Sequence, residues 1–477
     1  MKYTMNCFAK WMSVVLLAVV AVACSNDDSG DSVVFELPSV YFSAAGQQAV
    51  VSYTTNDVYR VYISARPKGW TEENVHIDVE RRQVTVVVPV ATEDGSIASS
   101  GTITISGYSS ADNIKSASLF VGVVPTRQLP GPANSFIATE KELNYAFDLV
   151  RADGSKVPAA RVGLLWQSTS RLIQYLYLDK QTNRASFYIG ADMIRTDEIV
   201  RGNALIGAYD ADDNLLWSWH IWSCNYDPAQ HMVEWQNGYR MMDRNLGALD
   251  NANSTAAERQ ASYGLYYQWG RKDPFAGPID YKFSNGSSQA LYISDYTLAE
   301  MDYVEADAET GTEEYAVAHP MTFITGVEGS GYNWMWNAAA AEWSRANDPC
   351  PLGWRVAPAG AFAGLMLEGE PTADDADVYG WPMTDGVSRS LFMAGGRRTF
   401  LTGYFQNVYD PIVDSRAGLA EDAQPWVGFY WMRESAANQP GANSFYFWFN
   451  KKQTTAGVSP LLDSYRSNGF SVRCVRE

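Results

Sequence analysis

The sequence predicts a multidomain, mainly β protein: two β-sandwiches in series, then a loop-rich α+β domain that takes about half the chain. Three observations predict it. The chain has 477 residues, room for about three domains at roughly 100–200 residues each. From residue 35 to 222, apolar and polar residues alternate in short runs separated by Gly, Pro, Asn and Asp, the period of a half-buried strand. After residue 222 the alternation gives way to aromatic, Gly-rich blocks that hold ten of the 16 Trp. Hydrophobic residues make up 46% and charged residues 19% of the chain, enough apolar material to fill several cores. The formal net charge of −18 predicts no nucleic-acid partner, because phosphate recognition needs a basic surface.

The N-terminus carries an address. Lys2 and Lys10 precede an unbroken apolar run, Val14 to Ala23. Such a run is too short to cross a bilayer, which takes about 20 residues, and reads as the core of an export signal. Ala21-Val22-Ala23-Cys24 resembles the lipobox of bacterial lipoproteins. That resemblance implies a signal peptide over 1–23 and lipidation of Cys24, whose lipid anchors the chain in the outer membrane. Residues 24–34, with Asp27, Asp28 and Asp31, read as a solvated acidic tether. The tether resembles the export tag of surface lipoproteins of the Bacteroidota, which implies a lipid-anchored, surface-exposed place on the cell outer membrane.

Residues 35–124 contain seven candidate strands: Val40–Ser43, Ala49–Tyr53, Tyr59–Ser64, Val75–Val79, Gln83–Pro89, Gly101–Ser106 and Ala117–Val123. Seven short strands in this length predict a β-sandwich. With Pro67-Lys68-Gly69-Trp70, the segment resembles immunoglobulin-like spacer domains of BACON type; Trp70 is read as a core plug. Residues 125–133 hold three prolines and read as a stiff linker. A second sandwich is predicted over 134–222, with strands Ser135–Thr139, Tyr145–Leu149, Val162–Trp166, Ile173–Leu178, Ala185–Ile189, Ala204–Tyr209 and Leu215–Ile221. Asp210-Ala211-Asp212-Asp213-Asn214 has oxygen ligands at alternate positions. Leu215 stands where a calcium loop needs Gly and Ile221 where it needs Glu, so a hairpin turn is predicted. Leu215 to Trp222 is too apolar for an open surface and is expected to pack against the next domain.

Within 223–477, Asn337 to Asn347 is Ala-rich and predicts a helix. Pro358 predicts the start of another, with Phe362, Leu365 and Met366 on one face. Phe445–Phe449 and Phe470–Val475 predict core strands. The ordered blocks are Trp235 to Gly247, Gly264 to Arg271, Asp348-Pro349-Cys350-Pro351-Leu352-Gly353-Trp354-Arg355-Val356, Ala394-Gly395-Gly396-Arg397, Gly428-Phe429-Tyr430-Trp431 and Gly469 to Val475. This set resembles the Fibrobacter succinogenes major paralogous domain and, more distantly, C-type-lectin-like folds. The resemblance implies an α+β C-type-lectin-like domain in which the blocks of Cys350 and Cys474 come together in a disulfide. Cys224 is then the odd, buried thiol.

The sequence holds no Gly-x-Ser-x-Gly, Walker loop, His-Glu-x-x-His or Cys-x-x-Cys pattern, and its four His are not spaced as metal ligands. No catalytic residue, metal ligand or cofactor is expected. The acidic loops Glu305–Glu314 and Asp374–Asp377 are calcium candidates, read first as solvated turns. The chain is therefore expected to be a non-catalytic binding or adhesion protein that takes a glycan or host ligand through its C-terminal domain. Trp334, Trp336, Trp381 and Trp426, each in a Gly-, Asn- or Pro-rich stretch, are the candidate ligand rings. One alternative is a fimbrial tip or accessory subunit, whose partners are other fimbrial subunits. A second is a glycan-active enzyme with a carboxylate pair hidden among the 54 acidic residues.

Overall fold

The computed structural model describes residues 30–109, 113–279, 288–294, 297–370, 379–406, 426–437, 440–450 and 455–477. The predicted signal peptide, the lipidation residue Cys24 and the acidic loop Asp374–Asp377 lie outside the described residues. The chain is mainly β and forms two compact units, one from Gln48–Val121 with the chain up to Ser39, the other from Val40–Gln47 and Gly122–Glu477.

The first unit is built by alternation. Its antiparallel sheet runs Ser32–Phe35, Gln48–Asn56, Gln83–Val87, Val75–Asp78, and Val58–Ala65 pairs with Ser100–Ser109. Val51, Tyr53, Val84, Val86, Ile103 and Ile105 point inward at every second position and are buried. Trp70 is buried and donates its indole N–H to the Ala98 carbonyl at 2.8 Å. The predicted tether ends earlier than residue 34. Ser32–Phe35 pairs with Tyr53–Asn56, because Val33 and Phe35 have the same alternation and bury their side chains.

The second unit begins with a sandwich. One sheet has the order Ser135–Ala138, Leu215–Ser223, Gly202–Tyr209, Arg161–Gln167; the other runs Gln174–Asp179, Arg184–Ile189, Leu143–Asp148, Thr126–Gln128. Thr126–Gln128 corrects the linker reading. It joins the sheet as a parallel edge strand beside Asn144–Ala146, where flanking prolines without an N–H do no harm.

The strand Leu215–Ser223 is a wall with two faces. Trp217, Trp219 and Ile221 enter the sandwich core with Phe136, Phe147 and Phe187. Trp222 enters the core of the C-terminal region with Trp269, Trp334 and Trp431. The expected packing of this strand is therefore present, and residues 122–477 form one compact unit.

The C-terminal region has a large sheet in the order Phe405–Gln406, Arg397–Arg398, Gly469–Ser471, Trp426–Ser435, Ala442–Asn450, Thr455–Ser464. A smaller sheet runs Met232–Glu234, Arg240–Met242, Cys474–Arg476, Trp354–Val356. A disulfide joins Cys350 to Cys474 with Cα atoms 6.0 Å apart. Cys224 is free and buried, and burial pushes its thiol up to about 12.

The described helices are short. Thr255 caps Ala256–Ser262 in a capping box with Glu258, and Thr312 caps Glu313–Ala318. The predicted helix over 337–347 is absent. The carbonyls of Ala338 and Ala340 accept from the Arg466 guanidinium, and the Ala341 carbonyl accepts from the Ser435 N–H. A helix this short is marginal alone, and tertiary bonds hold its backbone groups elsewhere. After Pro358 only a 3-10 turn forms, Ala359–Phe362. Phe362 and Leu365 are buried, but Met366 is exposed and starts a strand paired with Met383–Thr384.

Candidate functional site

The four candidate tryptophans divide. Trp334 is fully buried and donates its indole N–H to the Trp269 carbonyl at 3.0 Å. Trp381 is buried against Phe449, ring centroids 5.1 Å apart. Both are core residues rather than ligand platforms, because each side chain faces a hydrophobic cluster. Trp426 is half-buried, edge-on to Tyr379. Trp336 is exposed at 36%, beside Gly311. The structure does not bring the four together as one surface.

It does assemble a different aromatic surface. Tyr404, Leu401 and Tyr303 are exposed at 59%, 44% and 40%. The rings of Tyr303 and Tyr404 lie 5.7 Å apart, over buried Phe323. Phe400, next to Leu401, meets Tyr465 at 4.6 Å and Tyr332 at 5.4 Å. Tyr332 and Tyr465, half-buried, lie 5.5 Å apart. Tyr332 belongs to the Gly- and Asn-rich stretch that made Trp334 a candidate ring, but Trp334 is the residue that turns inward.

Local chemistry fixes this surface. The turn over 399–404 is closed by the Gly403 N–H on the Thr399 carbonyl at 2.8 Å, and the Arg398 guanidinium holds the Gly403 carbonyl at 2.9 Å. Gly403 has φ +71°, and a Cβ there would sit 2.6 Å from the Tyr303 ring; only Gly lets that ring lie against the turn. Tyr332 has φ 61°, a left-handed conformation that costs a bulky residue on the order of 1–3 kcal/mol. Its neighbours hold it there. The Tyr332 N–H donates to the Val327 carbonyl at 2.9 Å, and the Asn333 amide oxygen accepts from the Arg466 N–H at 2.6 Å. Burial pushes the Tyr303 phenol above its ordinary value, so Tyr303 presents a neutral hydroxyl at physiological pH. Asp302 and Glu305 are exposed on the strand that carries Tyr303.

A buried polar constellation lies elsewhere in the same unit. The Ser135 hydroxyl lies 2.8 Å from His220 Nδ1, and His220 Nε2 lies 2.9 Å from the Asn203 amide oxygen. Asn203 donates its amide N–H to the Gly247 carbonyl, so its oxygen is the acceptor and His220 carries its proton on Nε2. The set has the residue types of a nucleophilic triad, but all three are buried. Burial pushes His220 down to about 3, far below the range of a working general base. Nearby, Lys272 and Asp273 form a buried ion pair at 2.6 Å that also engages Ser218. Both groups sit behind the wall strand and weld it to the following loops.

The two acidic loops within the described residues are turns. Asp210 accepts from the N–H groups of Asp212 and Asn214, both at 2.9 Å, as a hairpin reading requires. Asp307 accepts from the N–H groups of Glu309 and Thr310 at 2.8 and 2.7 Å. Among the described residues no group of three or more His, Cys, Asp or Glu is placed to hold a metal ion.

No family model matches the chain, and no curated protein matches it. Solved structures similar to part of it include the extracellular domain of protocadherin GammaB4, with 13% identity, 41% of this chain and 35% of that chain covered, and a TM-score of 0.15. SporoSAG from Toxoplasma gondii matches with 9% identity, 40% of this chain and 98% of that chain, TM-score 0.13. SGBP-B of the Bacteroides ovatus mixed-linkage glucan utilization locus, in complex with a mixed-linkage heptasaccharide, matches with 9% identity, 39% of this chain and 42% of that chain, TM-score 0.12. This chain spans about a third of the protocadherin's length. At these TM-scores the matches establish no family.

Proposed function

We propose that this chain is a non-catalytic binding or adhesion protein that takes a glycan, or a host ligand with a similarly flat apolar face, on the aromatic surface of its C-terminal region. One observation carries the reading: Tyr303, Leu401 and Tyr404 are exposed together beside Tyr332, which is held in a left-handed conformation. Rigid aromatic rings recognise at low entropy cost, and their faces stack on sugar rings while their hydroxyls hydrogen-bond. Backbone strain retained next to an open surface supports a functional role for that surface. The exposed carboxylates of Asp302 and Glu305 favour an uncharged or basic ligand over an acidic one. The lipobox-like stretch ending at Cys24 supports display from the outer membrane on a lipid anchor.

A glycan array with the mature chain, followed by calorimetry on the best ligand, tests the reading. Tyr404→Ala and Tyr303→Ala are each expected to weaken binding about tenfold, roughly 1.4 kcal/mol, with unchanged circular dichroism. Wild-type affinity in both variants removes the site. Lipid display is tested separately: incorporation of labelled palmitate is expected to disappear in Cys24→Ala.

A further inference from the structure

A cavity of about 310 Å3 opens in the second unit where the sandwich meets the C-terminal region. Among the described residues its lining contains no charged side chain, although the chain as a whole carries a net charge of −18. It is lined instead by hydroxyl and amide groups, Ser168, Thr169, Gln260 and Gln289, between apolar patches that include Leu249 and Leu291. Its volume falls at the low end of small-ligand pockets, about 300–1,000 Å3.

The hydrogen bonds already made in the wall show what is left for a ligand. The Ser168 hydroxyl oxygen accepts from the Asn203 N–H at 2.8 Å, which leaves its O–H as a donor. The Thr169 hydroxyl donates to the Arg201 carbonyl at 2.8 Å, which leaves oxygen lone pairs as acceptors. The Gln289 amide nitrogen donates to the carbonyls of Gln260 and Pro278 at 3.0 and 3.2 Å, which leaves its amide oxygen as an acceptor. The Gln260 side-chain amide is exposed on its helix and offers both functions. Arg201 and Arg398 approach this region, yet their guanidiniums bind the carbonyls of Leu249 and Ala276, and neither lines the cavity.

A wall whose described residues offer both donors and acceptors, carry no charge and include leucines beside the polar groups matches one ligand chemistry. A neutral sugar presents hydroxyls that both donate and accept, on a ring whose C–H faces are apolar. A carboxylate or ammonium ligand would find no counter-charge among the described lining residues. We infer that this cavity is a binding site for one neutral hexose residue, separate from the aromatic surface and independent of the reading given above for that surface.

The test uses the mature full chain and saturation-transfer NMR with glucose, galactose, mannose, N-acetylglucosamine and glucuronate. Binding of at least one neutral sugar with Kd on the order of 1 mM is expected, and glucuronate is expected to bind at least tenfold more weakly. Measured in a Tyr303→Ala, Tyr404→Ala background that silences the aromatic surface, Gln260→Ala and the cavity-filling Ala261→Phe are each expected to weaken the neutral sugar at least tenfold, while Arg184→Met, outside both sites, leaves it unchanged. If Ala261→Phe fails to fold, Gln260→Ala, on an exposed helix face, decides alone. The site is refuted if no neutral sugar binds at 20-fold that concentration (about 20 mM), if glucuronate binds as well as the neutral sugars, or if Gln260→Ala binds like the wild type. Absence of neutral-sugar binding in the Tyr303→Ala, Tyr404→Ala background, before either cavity substitution is added, also refutes it and assigns the wild-type signal to the aromatic surface instead.

Discussion

The first unit and the C-terminal region satisfy their backbones by different means. In the first unit, a long strand such as Gln48–Asn56 pairs residue by residue with Ser32–Phe35 and Gln83–Val87, so the ladder itself uses the polar backbone groups and the core is left to apolar side chains such as Val51, Val84 and Ile103. In the C-terminal region much of the chain is loop, and loop carbonyls inside a core need partners from elsewhere. Buried arginines supply them. Arg466 donates to the carbonyls of Gly441, Met335, Ala338 and Ala340. Arg271 reaches those of Thr322, Ala316, His319 and Pro320, and Arg473 those of Met242 and Leu391. A guanidinium has five N–H donors in a fixed fork and no acceptor, which suits it to gather several carbonyls at one point. Aromatic rings cover the flat faces: Arg473 lies 3.9 Å from the Phe392 centroid and Arg466 4.4 Å from that of Trp269. Burial lowers Arg271 and Arg466 to about 10, so both stay charged at neutral pH. A loop-rich domain can therefore hold a buried charge as a structural strut, where a ladder-built sandwich needs none.

This contrast can be broken or sharpened by experiment. The largest effect is expected from Cys350→Ser combined with Cys474→Ser. Opening a link across 124 positions should lower the stability of the second unit by up to about 5 kcal/mol in the chain-entropy description, read as a fall in its denaturant midpoint. Arg466→Met keeps similar bulk but abandons its carbonyls, and about 3–5 kcal/mol should be lost. A loss below about 1 kcal/mol would show that the arginine struts are dispensable and would break the contrast. In the first unit, Val84→Ala removes buried methyl groups from a paired strand, and about 2–3 kcal/mol is expected.

The wall strand gives a pH-dependent counterpart. His220 is buried neutral, and its value falls from an unfolded value near 6.5 to about 3. The unfolded state therefore binds the proton more tightly. Stability is complete above pH 6.5 and is lost as pH falls toward 3. About 2 kcal/mol should disappear between pH ~7 and ~5, and urea midpoints of wild type against His220→Gln should show that dependence vanish in the variant. The smallest effect is expected from Arg184→Met. Its ion pair with Asp148 is short, at 2.6 Å, but both partners are about half exposed, so less than about 1 kcal/mol should change. Comparable losses from Arg184→Met and Arg466→Met would show that burial does not set what an arginine contributes here.

Legibility followed the same divide. Alternation revealed the strands of both sandwiches, including the two-faced Leu215–Ser223, because a period of two is written locally in the side chains. It missed Ser32–Phe35 and Thr126–Gln128, which lie among acidic and proline residues that spoke for a tether and a linker. In the C-terminal region Phe445–Phe449 was legible as a strand from its β-forming side chains, and it lies within Ala442–Asn450. The candidate surface was legible only as a neighbourhood. Gly331-Tyr332-Asn333 marked a loop, but nothing local said that Trp334 would turn into the core and Tyr332 outward. The buried arginines had one faint signal, their place inside aromatic and aliphatic runs such as Phe470-Ser471-Val472-Arg473-Cys474-Val475.

By itself, then, the sequence determined what is local: the alternating strands and the hairpin at Asp210 to Asn214. Its family resemblance added the pairing of Cys350 with Cys474. Tertiary structure alone decided the rest. It turned the Ala-rich stretch after Asn337 into a loop, because Arg466, more than a hundred residues later in the chain, takes its carbonyls. It gathered Tyr303, Tyr332, Leu401, Tyr404 and Tyr465 from four separated segments onto one surface. Periodicity reports which side of its own element a residue faces; which distant groups share that side depends on packing, and that is where the hydrogen bonds of the loops and the rings of the surface were settled.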